Sequence, residues 1–120
     1  MTCYLLKSKI HRARITDANV NYEGSITISE DLMEAVGFLP YERVLIGNMA
    51  NGNRFETYII VGSRGKGEFC LNGAAARLGK PGDMLTIMSF AGVDAADALS
   101  HEPRVVTLLE GNCLPPADGK

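Results

Sequence analysis

Short runs in which polar and apolar residues alternate follow one another along most of the chain, as is typical of β-strands. The longest run is 3–15, where Lys7, Lys9 and His11 lie on one predicted face and Ile10 lies on the other. Further runs predict strands at 26–28, 44–46, 54–61, 69–71, 84–90 and 105–109. The pattern therefore predicts a protein built mostly from short strands.

Two short helices are predicted between these strands. Ser29 is the expected N-cap of the first, two acidic residues after it suit the positive end of the helix dipole, and Gly37 can close it in a left-handed conformation. The second is a helix of one or two turns at 72–77, with Asn72 as its expected N-cap. Many short strands with two small helices indicate a compact, mainly β barrel.

The composition fits one small domain and narrows the class of function. The chain has 120 residues, of which 46% are hydrophobic, so it can form a core but has no room for a separate cofactor domain. A formal net charge of -2 argues against a nucleic-acid-binding protein, which usually carries a strong basic excess. No segment approaches the ~18 apolar residues of a membrane span. We therefore expect a soluble, cytoplasmic protein with neither a membrane nor a nucleic-acid partner.

The cysteines and histidines give no sign of a disulfide or a metal site. Cys3, Cys70 and Cys113 are odd in number and widely spaced, and none belongs to a CxxC pair. His11 and His101 are isolated from one another. This pattern fits a reducing cytosol and predicts no bound metal.

One dipeptide can carry chemistry, Gly24-Ser25 just before the strand at 26–28. When a fold holds a serine hydroxyl against the preceding carbonyl, attack by the hydroxyl gives an ester, and elimination and hydrolysis then leave an N-terminal pyruvoyl group. Glycine suits this step because it adopts backbone angles that other residues avoid and leaves its carbonyl unshielded. The dipeptide alone is a weak signal, since Gly-Ser also occurs at Gly62-Ser63 and most such pairs are turns.

Four motifs occur in order around this dipeptide. They are 6–13 (LKSKIHRA), 19–28 (NVNYEGSITI), 53–58 (NRFETY) and 70–78 (CLNGAAARL). Together they resemble the aspartate alpha-decarboxylase family, pyruvoyl-dependent enzymes that make β-alanine for pantothenate. The resemblance runs from residue 1 to about residue 113 and includes 101–106 (HEPRVV).

The resemblance implies a small double-psi β barrel that assembles as a homotetramer. It implies one domain at 1–114, cut into a β chain (1–24) and an α chain (25–120), with 115–120 as a flexible tail. The cofactor would be a covalent pyruvoyl group made from Ser25, with no metal and no pyridoxal phosphate. L-Aspartate would condense with this group as a Schiff base and lose CO2 to give β-alanine. The chemistry agrees, because amino-acid decarboxylation needs an electron sink and the chain is too short for a typical pyridoxal fold.

The family pattern also assigns roles near the cut. Ser25 would be the cleavage nucleophile, Gly24 would provide the attacked carbonyl, and Thr57 would take part in both cleavage and substrate binding. Tyr58 would donate the proton that replaces the lost carboxylate, although a strand tyrosine is more often a packed aromatic.

Substrate binding would fall to residues from several segments. Arg54 can hold a carboxylate through two parallel hydrogen bonds, and Lys9 would be a second carboxylate partner, although an exposed strand cation is ordinary. Asn72 can be a simple N-cap, yet the helix start after it offers free N–H groups to a carboxylate or an oxyanion. The predicted substrate-binding residues are Lys9, Arg54, Thr57, Asn72, Gly73, Ala74 and Ala75. His11 and Tyr22 are possible further pocket residues.

Two features of this predicted pocket stay open. Thr57 and Tyr58 should point to opposite faces of a regular strand, so either a bulge re-aims one of them or the site lies between protomers and uses both faces. We favour the second explanation. Gly47 stands where many family members carry a larger side chain, which leaves the size of the pocket undetermined.

Another class of function fits the same strand pattern, a β-barrel binding module of the swapped-hairpin DNA-binding type. Its contact surface would be the basic residues Lys7, Lys9, Arg12 and Arg14. The overall charge and the intact Gly24-Ser25 argue against it. A relative that folds but does not cleave itself is the more serious alternative, because a shared fold does not guarantee a shared function.

Overall fold

The computed structural model describes residues 1–116, which form eight strands, one α-helix and two 3₁₀ helices. The strands are β1 (Thr2–Arg14), β2 (Asp17–Asn19), β3 (Ser25–Ser29), β4 (Arg43–Asn48), β5 (Arg54–Gly62), β6 (Phe69–Asn72), β7 (Met84–Asp94) and β8 (Arg104–Thr107). The helices are α1 (Glu30–Val36) and the 3₁₀ helices Gly73–Arg77 and Ala95–Ser100. No helix within residues 1–116 has the length and apolar character needed to cross a bilayer.

The strands form one sheet in the order β2-β6-β3-β5-β4-β7-β1-β8. Pairs β1–β8, β2–β6 and β3–β5 are parallel, and the other neighbours are antiparallel. The link between β1 and β2 connects opposite ends of the sheet, because Ile15 N–H donates to the carbonyl of Asp83 and Thr16 N–H donates to that of Phe69, each at 2.9 Å. The sheet therefore wraps around its core, and the prediction of a small, mainly β barrel with short helices is confirmed.

The inner face of the sheet is a dry core. Its fully buried side chains include Ile10, Ile26, Ile28, Ile46, Ile59, Leu71, Leu85 and Ile87, each 0% exposed. Leu32, Met33 and Val36 of α1 pack into the same cluster. Burial of this apolar area is the main stabilising contribution to the fold.

The outer face carries charged side chains of β1 and β5 in two rows of paired residues. Strand pairing aligns Lys9 with Met88, Leu45 and Glu56 in one row, and His11 with Thr86, Gly47 and Arg54 in the next. Residues paired across a sheet share a face, so both rows point away from the core. Lys7 leaves the predicted face, because the pairing shifts between Leu6 and Ser8. Its ammonium instead donates to the carbonyl of Gly37 at 2.7 Å and to Glu42 at 2.9 Å.

The helices differ in part from their prediction. Gly37 closes α1 at a φ of 77°, as expected. Ser29 stands at the N-cap position without capping the helix, since its hydroxyl accepts the N–H of Glu68 at 2.8 Å. The segment at 73–77 is a 3₁₀ helix, while strand β2 and the 3₁₀ helix Ala95–Ser100 were not predicted. Of the predicted tail, residues 117–120 lie outside the described part of the chain.

Candidate active site

Ser25 opens β3 with its side chain buried, at 1% exposure. The amide nitrogen of Asn72 donates to Ser25 Oγ at 2.9 Å and to Thr27 Oγ1 at 3.0 Å. Ser25 Oγ in turn donates to the carbonyl of Glu23 at 3.4 Å. The antiparallel pairing of β3 with β6 sets Ser25 opposite Asn72 and Thr27 opposite Cys70, which places these four side chains on the outer face. The serine hydroxyl is thus held between an amide donor and a carbonyl acceptor.

The prediction that the side chain of Asn72 caps a helix is wrong, because it makes no capping bond. Asn72 is instead the last residue of β6 and is only 3% exposed, and its side-chain amide donates hydrogen bonds to the two hydroxyls on β3. Ala74 is exposed and Ala75 is buried at the start of the 3₁₀ helix that follows. A buried amide without partners would cost free energy, so these contacts also stabilise the fold.

The Gly24-Ser25 dipeptide lies against Gly73. A Cβ at Gly73 would stand 2.6 Å from both the Cα and the N of Gly24 and 2.8 Å from the carbonyl oxygen of Tyr22, and the φ of Gly73 is 65°. The expectation that Gly24 needs an unusual backbone conformation is not met. Its φ lies outside the left-handed region, and a Cβ there would meet nothing within 4 Å. The requirement for glycine therefore falls on Gly73, while there is open space where a side chain at residue 24 would begin.

A cavity of about 530 Å³ opens beside these residues, and its lining includes Tyr22, Thr27, Cys70 and Asn72. Burial raises the pKa of the Cys70 thiol, and the carboxylates of Asp17 and Glu68 raise it further. Sequence reasoning gave Cys70 no role at the site. The available signal was its spacing, because a strand residue two positions before Asn72 shares the face of Asn72.

Lys9 and Arg54 meet at a second cavity, of about 400 Å³, whose lining also includes Gly47, Thr86 and Met88. A Cβ at Gly47 would lie 3.8 Å from Arg54 Nη1, so glycine leaves this cavity open beside the guanidinium. Neither cation forms a salt bridge with a carboxylate of residues 1–116. Within residues 1–116, these two positive charges thus lie at one cavity without a carboxylate partner.

His11 lies at the edge of this second cavity. Its Nδ1 is 3.3 Å from the hydroxyl of Thr86, which lines the cavity. The side chain therefore positions a lining residue but is not itself part of the lining.

One chain does not bring the two cavities together. Arg54 precedes Tyr58 by four residues on β5, a distance of about 13 Å along a strand. Ser25 lies beside Tyr58, one step before the pairing of Ile26 with Ile59 in parallel strands. The cavity lined by Lys9 and Arg54 and the Gly24-Ser25 bond are therefore at different places on the outer face.

Thr57 and Tyr58 do point to opposite faces, as the alternation predicts. Thr57 pairs with the core residue Val44, and Tyr58 pairs with Arg43 in the outer row. The pairing of β5 with β3 and β4 runs without a register shift, so β5 has no bulge that re-aims either residue. Of the two explanations, the bulge is therefore wrong, and the site shared between protomers stays a prediction.

The basic strand does not form a continuous surface for nucleic acid. Lys7 is ion-paired with Glu42 at 2.9 Å, and Arg14 donates to the carbonyl of Gly82 at 2.6 Å. Two of the four predicted contact residues therefore bond within the chain. Within residues 1–116 no group of three or more His, Cys, Asp or Glu side chains is placed to hold a metal ion.

The sequence of the chain is similar to those of known proteins. The sequence model of the family described as aspartate decarboxylase matches residues 1–114. An aspartate 1-decarboxylase of Syntrophobacter fumaroxidans is 54% identical over 115 residues, which cover 96% of this chain and 92% of the relative. One of Pelotomaculum thermopropionicum is 59% identical over 102 residues, covering 85% of this chain and 77% of the relative. The chain therefore belongs to the aspartate decarboxylase family and is a decarboxylase.

Proposed function

We propose that the chain cuts itself between Gly24 and Ser25 and uses the carbonyl formed at residue 25 to decarboxylate L-aspartate to β-alanine and CO2. The observation that carries the proposal is the buried hydroxyl of Ser25, which accepts a hydrogen bond from Asn72 at 2.9 Å. The aspartate 1-decarboxylase name of relatives that are 54% and 59% identical supports the choice of substrate.

The cleavage uses only groups of the chain and one water. Ser25 Oγ attacks the carbonyl carbon of Gly24, the bond from that carbon to the Ser25 nitrogen breaks, and an ester forms. Loss of the Cα proton of Ser25 expels the Gly24 carboxylate, and hydrolysis then releases the nitrogen as ammonia and leaves a pyruvoyl group. Asn72 donates to Ser25 Oγ and can stabilise charge on that oxygen as it changes from hydroxyl to leaving group.

The residues around position 25 fit such a group. Asn72 and Thr27 supply polar partners, and Gly73 lets the Gly24 backbone approach closely. A carbonyl conjugated to the following amide supplies the electron sink that decarboxylation of an amino acid requires. A cavity lined by Thr27, Cys70 and Asn72 lies next to the residues that contact Ser25.

Lys9 and Arg54 would bind the substrate carboxylates, and Tyr58 would hold the proton that replaces the lost carboxylate. Within one chain, the cavity lined by Lys9 and Arg54 is separate from Ser25. We therefore propose that a second copy of the chain supplies Lys9 and Arg54 to the site. The face of β5 that carries Arg54 and Tyr58 is exposed or half-buried in the single chain, as an interface before assembly would be. A homotetramer provides this pairing for every site.

The same proposal sets the wider context. Residues 1–114 act as one domain that is cut into 1–24 and 25–120, with 115–120 as a tail. The β-alanine supplies pantothenate biosynthesis in the cytoplasm, and neither metal nor pyridoxal phosphate takes part.

Intact mass spectrometry of purified protein tests the cleavage. The expected masses are those of 1–24 and of 25–120 with a pyruvoyl group in place of its first residue, and the larger fragment should react with carbonyl reagents. Ser25→Ala should stay whole and inactive. Ser63→Ala is the matched control, because Gly62-Ser63 is the same dipeptide at the end of β5, where Ser63 is exposed, and this variant should mature normally. Maturation of Ser25→Ala, or full activity in an uncut wild-type chain, would refute the proposal.

A further inference from the structure

Cys70 contacts the amide that holds the cleavage serine. Its Sγ lies 3.2 Å from the Oδ1 of Asn72, closer than the 3.9 Å to the carbonyl of Leu71. Both side chains project from the outer face of β6, where residues two apart are neighbours. In this contact, the thiol of Cys70 donates to Oδ1, the only acceptor atom in the side chain of Asn72.

This contact completes the hydrogen bonding of Asn72. Its side-chain NH2 donates to the hydroxyls of Ser25 and Thr27, and its Oδ1 accepts a hydrogen bond from the thiol of Cys70. If the amide turned by 180°, its oxygen would face both hydroxyls and its NH2 would face the thiol. Ser25 already directs its proton to the carbonyl of Glu23, so it would then present an oxygen lone pair to an oxygen acceptor. The thiol therefore favours the orientation in which Asn72 donates to Ser25.

The thiol keeps its proton under ordinary conditions. Burial is the largest cause of the raised pKa of Cys70, and the nearby carboxylates of Asp17 and Glu68 act in the same direction. At neutral pH the sulfur thus remains a donor. A thiolate in its place would attract the NH2 of Asn72 and compete with Ser25.

We propose that Cys70 is a positioning residue for self-cleavage, which orients Asn72 so that its amide donates to Ser25 Oγ. This inference rests on the proposed function. It adds a residue two positions before Asn72 that touches neither the scissile bond nor the substrate carboxylates.

The test compares Cys70→Ala, which removes the donor, with Cys70→Ser, which keeps one. Cys113→Ser is the matched control, because that thiol is exposed and faces the carbonyl of Gly111. Loss of one weak hydrogen bond should slow the first-order appearance of the 25–120 fragment about three- to tenfold in Cys70→Ala. Cys70→Ser and Cys113→Ser should stay within about twofold of wild type.

A second measurement separates the contact from the cleavage. In the uncut Ser25→Ala chain, the side-chain amide of Asn72 is followed by ¹⁵N NMR. Its signal should shift when Cys70→Ala is added and stay near its place with Cys70→Ser. Equal cleavage rates for wild type and Cys70→Ala would overturn the inference, as would equal slowing by both Cys70 variants. A wild-type chain that never cleaves would refute the proposed function, while the NMR signal would still decide whether Cys70 orients Asn72.

Discussion

Replacing Gly73 by alanine is the sharpest perturbation that the structure offers near the Gly24-Ser25 bond. The substitution adds one methyl group at a residue with a φ of 65°, 2.6 Å from the backbone of Gly24. Two separate costs follow, one from the left-handed backbone conformation and one from steric overlap. Because the neighbouring atoms are backbone, the overlap cannot be relieved by a side-chain rotation.

The two costs can be estimated and separated. A left-handed conformation costs a non-glycine residue about 1–2 kcal/mol, and overpacking by a methyl group costs about 1–3 kcal/mol. Gly73→Ala should therefore lower the free energy of unfolding by about 2–5 kcal/mol. Gly52→Ala isolates the first cost, since Gly52 has a φ of 79° and its added Cβ would meet nothing within 4 Å. Gly24→Ala carries neither cost and should stay within about 0.5 kcal/mol of the parent.

Urea unfolding of the three variants measures these differences, with Ser25→Ala as the common background so that every chain is intact. All three changes are Gly→Ala, so their similar effects on the unfolded chain cancel in the comparison. The expected order of stability is Gly24→Ala, then Gly52→Ala, then Gly73→Ala. Equal stability of Gly73→Ala and Gly52→Ala would show that Gly24 does not lie against residue 73.

Three further predictions concern other groups. In cleaved protein, Arg54→Lys keeps the positive charge but loses the two parallel hydrogen bonds to a carboxylate. Its kcat/KM for aspartate should therefore fall about 30-fold, which corresponds to roughly 2 kcal/mol of lost transition-state stabilisation. A near-normal kcat/KM would show that Arg54 does not bind the substrate. Tyr58→Phe should fold and cleave normally, while its turnover number falls by about 10²–10⁴-fold. If this variant turned over at the wild-type rate, another group would have to donate the proton that replaces the lost carboxylate. Hydrogen bonds from Lys80, and to a smaller extent from Asn48, lower the pKa of the Asp83 carboxyl from 3.8 to about 2. The ionised carboxylate therefore stabilises the fold above about pH 4, and this contribution is lost as the pH falls through 2. Thermal unfolding between pH 4 and 2 should show a smaller loss of stability for Asp83→Asn than for wild type, and equal losses would contradict this.

Alternation along the sequence predicts the long strands well, because β1, β5 and β7 are each nine or more residues long and more and less exposed positions alternate along much of each strand. It misses β2, since three residues are too few for a period to appear. The displacement of Lys7 also has no local signal, because it follows from a shift in the pairing of β1 with β7.

The contacts among the candidate site residues could not be predicted from the sequence. Ser25 and Asn72 are 47 positions apart, and their hydrogen bond depends on the register of β3 against β6. Gly73 reads locally as the start of a helix, although its lack of a side chain is required by a tertiary contact with Gly24. Alternation correctly separated Thr57 from Tyr58, since β5 is regular. Propensity describes one segment at a time, whereas these contacts join segments that are distant in sequence.

The place of β1 in the sheet decides what happens to the short fragment after a cut at residue 24. β1 pairs with β7 from Thr2 to Arg14 and with β8 on its other edge, and Ser8, Ile10 and Ala13 are 0% exposed. To dissociate, the 1–24 peptide would have to break its hydrogen bonds to both β7 and β8 and expose buried core side chains. It should therefore remain bound without a covalent link. Folding of the intact chain is unimolecular, but refolding of the cut protein becomes an association of two molecules. Its recovery from denaturant should then depend on protein concentration, while that of the uncut barrel should depend on it less.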